Sequence, residues 1–184
     1  MSVRILTLVG SLRAGSHNRR LAEAAVKIAP EGTDVQIYEG LADVPFYNED
    51  IDVEGSVPAA AVELREAVAR ADALLLVTPE YNGTMPAALK NAIDWLSRPF
   101  GGGAIAGKPV AVVGTAFGQY GGVWAQDEAR KAVGIAGGTV VEHAKVAIPG
   151  SMTRFAELHP VEDAEVTTGL TAVIESLAGA RAAA

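Results

Sequence analysis

Short apolar runs alternate along the chain with longer stretches in which apolar residues recur every three or four positions. Val3–Val9 predicts a strand and Asn18–Ala29 a helix. A shorter strand is expected over Asp34–Tyr38, followed by a long loop, residues 40–57, that contains Pro45 and many acids. Pro58–Arg70 reads as a helix, with Val62, Leu64, Val68 and Ala71 on or near one face. Ala73–Thr78 is a continuous apolar strand, Pro86–Ser97 a helix and Pro109–Thr115 another strand. Gly122–Ala136 predicts a helix, Thr139–Val141 with Ala144–Ile148 a broken final strand, and Val161–Leu177 the last helix. The tail Ala178–Ala184 is expected to fray.

Strands that alternate with helices imply βαβ units and a parallel sheet covered on both faces. Ala73-Leu74-Leu75-Leu76-Val77 lacks polar alternation, as a strand buried on both sides should. Five such units within 184 residues fit a single α/β domain, residues 1–184. The matching architecture is the flavodoxin-like doubly wound five-stranded parallel sheet, order 2-1-3-4-5, with helices on both faces. In such a sheet the ligand sits beyond the carboxyl ends of the strands, at the switch point between strands 1 and 3. The loops after strands 1, 3 and 4 are therefore expected to carry the chemistry.

Composition narrows what that chemistry is. Hydrophobic residues make up 49% and charged residues 20%, a globular balance. The net charge of −7, with no basic stripe, argues against nucleic-acid or anionic-membrane partners. The apolar start is too short for a signal peptide and no run approaches a membrane span, so a cytoplasmic location is expected. There is no cysteine, which removes disulfides, thiolate metal sites, iron–sulfur clusters and thiol redox chemistry. His17, His143 and His159 lack metal-ligand spacing. Any redox chemistry must then reside on a bound cofactor.

The first of the three loops is Gly10-Ser11-Leu12-Arg13-Ala14-Gly15-Ser16-His17-Asn18. A strand, a turn bearing glycine and serine, and a helix start make a phosphate site, because the first N–H groups of a helix have no internal partner and the dipole favours negative charge there. Ser11 and Ser16 add hydroxyls, Asn18 an amide and Arg13 a cation. A dinucleotide fingerprint is excluded because residue 12 is Leu. A triphosphate loop is excluded because Ser16-His17 stand where Lys and Ser/Thr are required. The segment suits one terminal phosphate, for which FMN is a good candidate. The plainer reading is a helix start capped by Ser16.

The second loop is Pro79-Glu80-Tyr81-Asn82-Gly83. Pro79 ends the strand, and Asn82-Gly83 is a turn dipeptide whose N–H groups can face the edge of a flat heterocycle. Tyr81 either stacks on or edges such a ring, or serves as the hydrophobic cap of a βα turn. The third loop, Thr115–Gly122, is glycine-rich; Phe117, Tyr120 and Trp124 line a flavin or a partner subunit, or the loop is ordinary flexible surface. The helix that follows Gly83 carries Leu89, Ala92, Ile93 and Leu96 on one face; such a helix either lies deep in a core or meets another subunit, and it is read as a dimer interface in preference to the core. Glu49, Asp50, Asp52 and Glu54 do not match a calcium loop and are read as solvated. No G-x-S-x-G is present, so a hydrolase has no nucleophile elbow.

Taken together, these residues resemble the NAD(P)H-dependent FMN reductases, flavodoxin-like relatives of quinone, chromate and azo-dye reductases. The family's first loop, G-S-x-R-x-x-S-x-N, is matched by Gly10, Ser11, Arg13, Ser16 and Asn18. Its second signature, P-E-Y-N-x-x-x-P-x-x-L-K-N-A-I-D-W, is matched by Pro79, Glu80, Tyr81, Asn82, Pro86, Leu89, Lys90, Asn91, Ala92, Ile93, Asp94 and Trp95. The resemblance implies that Ser11, Arg13, Ser16, Asn18 and the backbone of His17 hold the FMN phosphate. It implies that Pro79, Glu80, Tyr81, Asn82 and Gly83 flank the isoalloxazine, with Thr115, Ala116 and Gly118 from the third loop. It further implies NADPH or NADH as donor, hydride passed through FMN to a small acceptor (a quinone, free flavin, azo compound or metal oxyanion) by ping-pong turnover, no catalytic side chain, and a homodimer or homotetramer. The alternatives are a flavodoxin-type electron carrier, against which Arg13 and Asn18 argue, and a flavin-binding redox sensor.

Overall fold

The computed structural model describes residues 2–182. Its elements run β1 (Val3–Val9), α1 (His17–Lys27), β2 (Thr33–Ile37), α2 (Ala59–Arg70), β3 (Ala73–Val77), α3 (Ala87–Leu96), β4 (Pro109–Thr115), α4 (Val123–Ile135), β5 (Thr139–Ile148), α5 (Ser151–Arg154) and α6 (Ala164–Ala182), with single 3-10 turns at Gly40–Asp43, Glu49–Ile51 and Pro160–Glu162. The five strands form one parallel sheet in the order β2-β1-β3-β4-β5, as expected.

Each face of the sheet is covered because each face is apolar. Ile5, Val9, Leu75, Val77, Ala111 and Val113 point to one side, where α1 packs Leu21 and Ala25, and α6 packs Val166, Leu170 and Ile174. Leu8, Leu74, Leu76, Val110 and Val112 point to the other, against Leu64 and Val68 of α2, Leu89 and Trp95 of α3, and Ala129 and Val133 of α4. This alternation is invisible in sequence because both sets are apolar. Every residue of β3 is buried.

Three details depart from the expected elements. The break in the last strand is a bulge within one continuous β5: Val110 pairs with Val140, but Val112 already pairs with Lys145. The buried Arg130 of α4 donates to the Val112 carbonyl at 2.7 Å beside that skip. The last helix begins at Ala164, not Val161, because Asp163 accepts the N–H groups of Glu165 and Val166, and the preceding Pro160–Glu162 turn is closed separately by His159 and Glu162. The tail from Ala178 is helical through Ala182, where fraying was expected; Ala180 packs against the core and Arg181 pairs with Asp72 at 3.5 Å. Residues 183–184 of that tail lie outside the described residues.

The loop 40–57 is irregular but anchored. Asn91 accepts the Tyr47 N–H at 2.8 Å and donates to the Val44 and Pro45 carbonyls, while Trp95 Nε1 also donates to Pro45 at 2.7 Å. Arg65 grips Asp52 with two 2.7 Å bonds and lies over the Trp95 ring. The Asn and Trp of the second signature thus hold this loop to α3.

Candidate functional site

The three loops meet at the carboxyl edge of the sheet and are bonded to one another. Gly10 donates to the Val77 carbonyl, and a Cβ at Gly10 would come within 3.3 Å of Leu89, so glycine lets the first loop lie close to α3 without displacing that side chain. Asn18 Nδ2 donates to the Thr115 carbonyl at 2.9 Å, and its Oδ1 accepts the Thr115 N–H at 3.0 Å. Gly114 must be glycine beside this clamp, since a Cβ there would strike the Thr78 carbonyl at 2.1 Å.

Ser16 is the N-cap of α1, accepting the Arg19 N–H at 3.3 Å. The capping reading and the phosphate reading coexist, because the cap uses the hydroxyl oxygen as acceptor and leaves its proton to donate. Among the described residues, the backbone N–H groups of His17 and Asn18 have no partner, and neither does the Ser11 hydroxyl. The loop's charges are sorted just as sharply. Arg19 makes two 2.6 Å bonds to Glu39, and Arg20 donates to the Phe155 and Leu158 carbonyls. Arg13 is exposed and forms no ion pair among the described residues. Burial, and then the Arg20 and Arg13 cations, hold the His17 imidazole below its ordinary value of 6.5. One free cation, one free hydroxyl and two free helix N–H groups are a donor set that fits a phosphate monoester.

In the second loop Tyr81 and Thr84 exchange backbone hydrogen bonds of 3.0 and 3.1 Å around Asn82 (φ 53°) and Gly83 (φ 77°). This is a two-residue turn with both central residues left-handed, which is what Asn-Gly supplies. It leaves the Asn82 and Gly83 N–H groups without partners among the described residues and Tyr81 half exposed.

Three of the expected ligand side chains are turned elsewhere. Glu80 does not face the loop's open edge: its Oε2 accepts the N–H groups of Trp124 and Ala125 at 3.1 and 3.2 Å. The N-cap of α4 is Gly122, which has no side chain, so the orphan N–H groups draw in a carboxylate from the second loop. The Asn18 amide is occupied by Thr115, leaving one amide proton. Thr115 itself is interior; its N–H goes to Asn18 and its hydroxyl to the Ile148 carbonyl at 2.8 Å. The Ala116 N–H also goes to Ile148, so the start of the third loop offers a surface and no donor. Gly118 is exposed and open on the side a Cβ would occupy.

The apolar face of α3, read as a dimer interface, is interior instead: Leu89, Ala92, Ile93 and Leu96 are all buried within the chain's own core. The sequence reading overlooked a groove of about 690 Å³ beside it, lined by Met85, Ile93, Ala132 and the strongly exposed Phe100 and Ile135. Phe100 follows a helix end and Ile135 ends one, so no periodicity announces them. Asp52, expected to be solvated, is instead gripped by Arg65. Among the described residues no group of three or more His, Asp or Glu could hold a metal ion, and no helix is long and apolar enough to cross a membrane.

A profile of the NADPH-dependent FMN reductases matches residues 3–153. The chain belongs to this family. As a member it is an NAD(P)H-dependent oxidoreductase whose cofactor is FMN. It is 44% identical over 129 residues to a quinone reductase of Pseudomonas putida, covering 70% of this chain and 68% of the relative. It is 42% identical over 130 residues to a 2-hydroxy-1,4-benzoquinone reductase of a Burkholderia species, covering 71% and 69%. A solved structure of a flavoenzyme NAD(P)H:acceptor oxidoreductase from Paracoccus denitrificans superposes with a TM-score of 0.78 at 27% identity, over 95% of this chain and 97% of that one.

Proposed function

We propose that this FMN reductase takes a hydride from NADPH or NADH and delivers the electrons to a quinone in a second half-reaction at the same face, a ping-pong cycle. The observation that carries the reading is the unspent donor set of the first loop: Arg13 without an ionic partner, the free Ser11 hydroxyl, and the free His17 and Asn18 N–H groups. Bound there, FMN supplies the hydride acceptor and donor, which no side chain of a cysteine-free chain provides. Ser11, Arg13, Ser16 and the backbone of His17 and Asn18 bind the phosphate. Pro79, Tyr81, Asn82 and Gly83 would border the ring, with Ala116 and Gly118 contributed by the third loop. The Asn18, Glu80 and Thr115 side chains position these groups and do not touch the ligand's charge. Each turnover oxidises one NAD(P)H and gives a quinone two electrons and two protons, the second proton coming from solvent.

Quinone is preferred over the other acceptors because both curated relatives above carry that word in their names. The homo-oligomer is part of the same proposal, with the Phe100–Ile135 groove in place of the α3 face as its contact; gel filtration of Phe100→Asp tests it. A reaction fed by NAD(P)H suits the cytoplasm, where that donor is held.

The test is anaerobic mixing of the FMN-loaded protein with each donor. Bleaching of the flavin absorbance, reversed by a quinone after the donor is exhausted, is the expected result. Flavin that stays oxidised with both donors overturns the reductase reading in favour of a carrier, and failure to bind FMN overturns the first-loop assignment.

A further inference from the structure

The third loop and the first turn of α4 carry two aromatic rings that the fold itself does not use, Tyr120 and Trp124. Tyr120 and Trp124 are 55% and 53% exposed, with ring centroids 5.3 Å apart. Phe117, three residues upstream, is 76% exposed. Trp95, the protein's other tryptophan, is fully buried and hydrogen-bonded. Phe46, Phe100 and Ile135 are exposed elsewhere, but here three exposed aromatic rings fall within eight residues of one another and form a patch.

Their mounting says what the patch is for. The N–H of Trp124 is held by Glu80, one residue before the Tyr81-Asn82-Gly83 turn. Gly122 adopts φ 81°, which glycine permits, and lies beside the same groups: a Cβ there would make ordinary contact with Ala116 at 3.5 Å and Glu80 at 3.7 Å. Gly121 lies closer still: with φ 63°, a Cβ on it would come within 2.6 Å of the Ile148 backbone. The backbone that carries the aromatic pair is therefore joined to the second and third loops, which border the ring in the function proposed above. We infer that Tyr120 and Trp124, whose rings stand at 50° to one another, form an aromatic contact at the mouth of the site, the indole stacking on planar, electron-poor acceptors such as neutral quinones. An electron-rich indole stacked on an electron-poor quinone is favourable beyond the area it covers, and a contact of this kind gives nothing to a metal oxyanion or ferricyanide. The inference rests on the redox site being where the proposed function puts it.

Two measurements on the FMN-loaded protein test it. The first needs no turnover: a naphthoquinone is titrated without NAD(P)H and tryptophan emission is followed. Saturable quenching in the wild type that is lost in Trp124→Leu is expected, because Trp95 is inside the core. The second compares acceptors: Trp124→Leu and Tyr120→Leu raise the KM for the naphthoquinone about three- to tenfold relative to that for ferricyanide. Equal changes for both acceptors, or quenching that survives Trp124→Leu, overturn the aromatic contact. A change of oligomeric state in Trp124→Leu without an acceptor-specific KM effect also overturns it, in favour of a contact between copies. Lost quenching in a protein that never oxidises NAD(P)H leaves the aromatic contact standing and removes the reductase reading, so the two failures are distinguishable. Should Trp124→Leu fold poorly, Trp124→Phe keeps a ring over the same backbone bonds and still removes the indole emission.

Discussion

Arg13 and Asn18 belong to one loop and do opposite work. Arg13 is exposed and unpaired, so Arg13→Ala removes a charge-assisted bond to phosphate and nothing from the fold. FMN affinity is expected to fall about tenfold or more while unfolding free energy stays within about 0.5 kcal/mol; flavin-fluorescence titration beside urea unfolding checks both. Asn18 is buried and holds both backbone groups of Thr115, which lies 97 residues away. Asn18→Ala strands a buried N–H and C=O and is expected to cost about 2–4 kcal/mol, seen as a lower denaturation midpoint before any ligand is added. His17 adds a pH term. Burial and the neighbouring Arg20 and Arg13 favour its neutral form in the folded protein. Its contribution to stability is therefore present above pH 6.5 and is lost as pH falls from there through the lowered folded-state value. Inorganic phosphate seated at the α1 N-terminus opposes the two arginines, so the NMR titration midpoint of His17 is expected to move up when phosphate is added. An unmoved midpoint argues against that seat.

At the level of elements, the informative junction is the start of α4. A glycine at the N-cap satisfies the sharp turn but offers no acceptor, and the carboxylate of Glu80 supplies one from another loop. Glu80→Ala is expected to cost about 1–2 kcal/mol, the loss of a good cap, and to speed hydrogen exchange at Trp124 and Ala125. Glu80→Gln keeps an acceptor oxygen and is expected to restore most of both. This junction also shows where a local reading runs short. Pro79, Asn82 and Gly83 were legible as a strand stop and a turn because those residues act through their own backbone. Glu80 was not, because its partners lie 44 and 45 residues away. The apolar face of α3 was legible as a face but not as to what covers it, since a helix packed on a sheet and a helix packed on a second subunit carry the same spacing.

For the molecule as a whole, three carboxylates tie distant segments together. Asp52 is held by Arg65, Asp72 by the backbone and side chain of Arg4, and Asp163 by Arg154, and each carboxyl sits below the usual 3.8. A depressed carboxyl contributes stability that is present above its unfolded value and lost as pH falls through the folded one. The protein is therefore expected to hold its stability down to about pH 4 and to lose it steeply below. Arg65→Met removes the partner of Asp52, so the gap in melting temperature between variant and wild type is expected to narrow as pH falls below about 4, through the lowered folded-state value of that carboxyl. A gap independent of pH would assign the loss of Arg65 to its packing on Trp95 instead.

Strand order, the two-faced cover of the sheet and the positions of the three loops follow from local pattern alone. Runs too short and too apolar to be anything but interior parallel strands, separated by helices, admit few topologies, and the switch-point rule then names the loops. Glycine, proline and an N-cap serine act on their immediate neighbours and are readable where they stand. Tertiary contact decided which polar side chains of those loops remain free for a ligand. Ser11, Arg13 and the first N–H groups of α1 are left over, while Asn18, Glu80 and Thr115 are consumed in joining the loops to one another. That division depends on contacts tens of residues apart in sequence, formed only once the sheet has brought its carboxyl ends together.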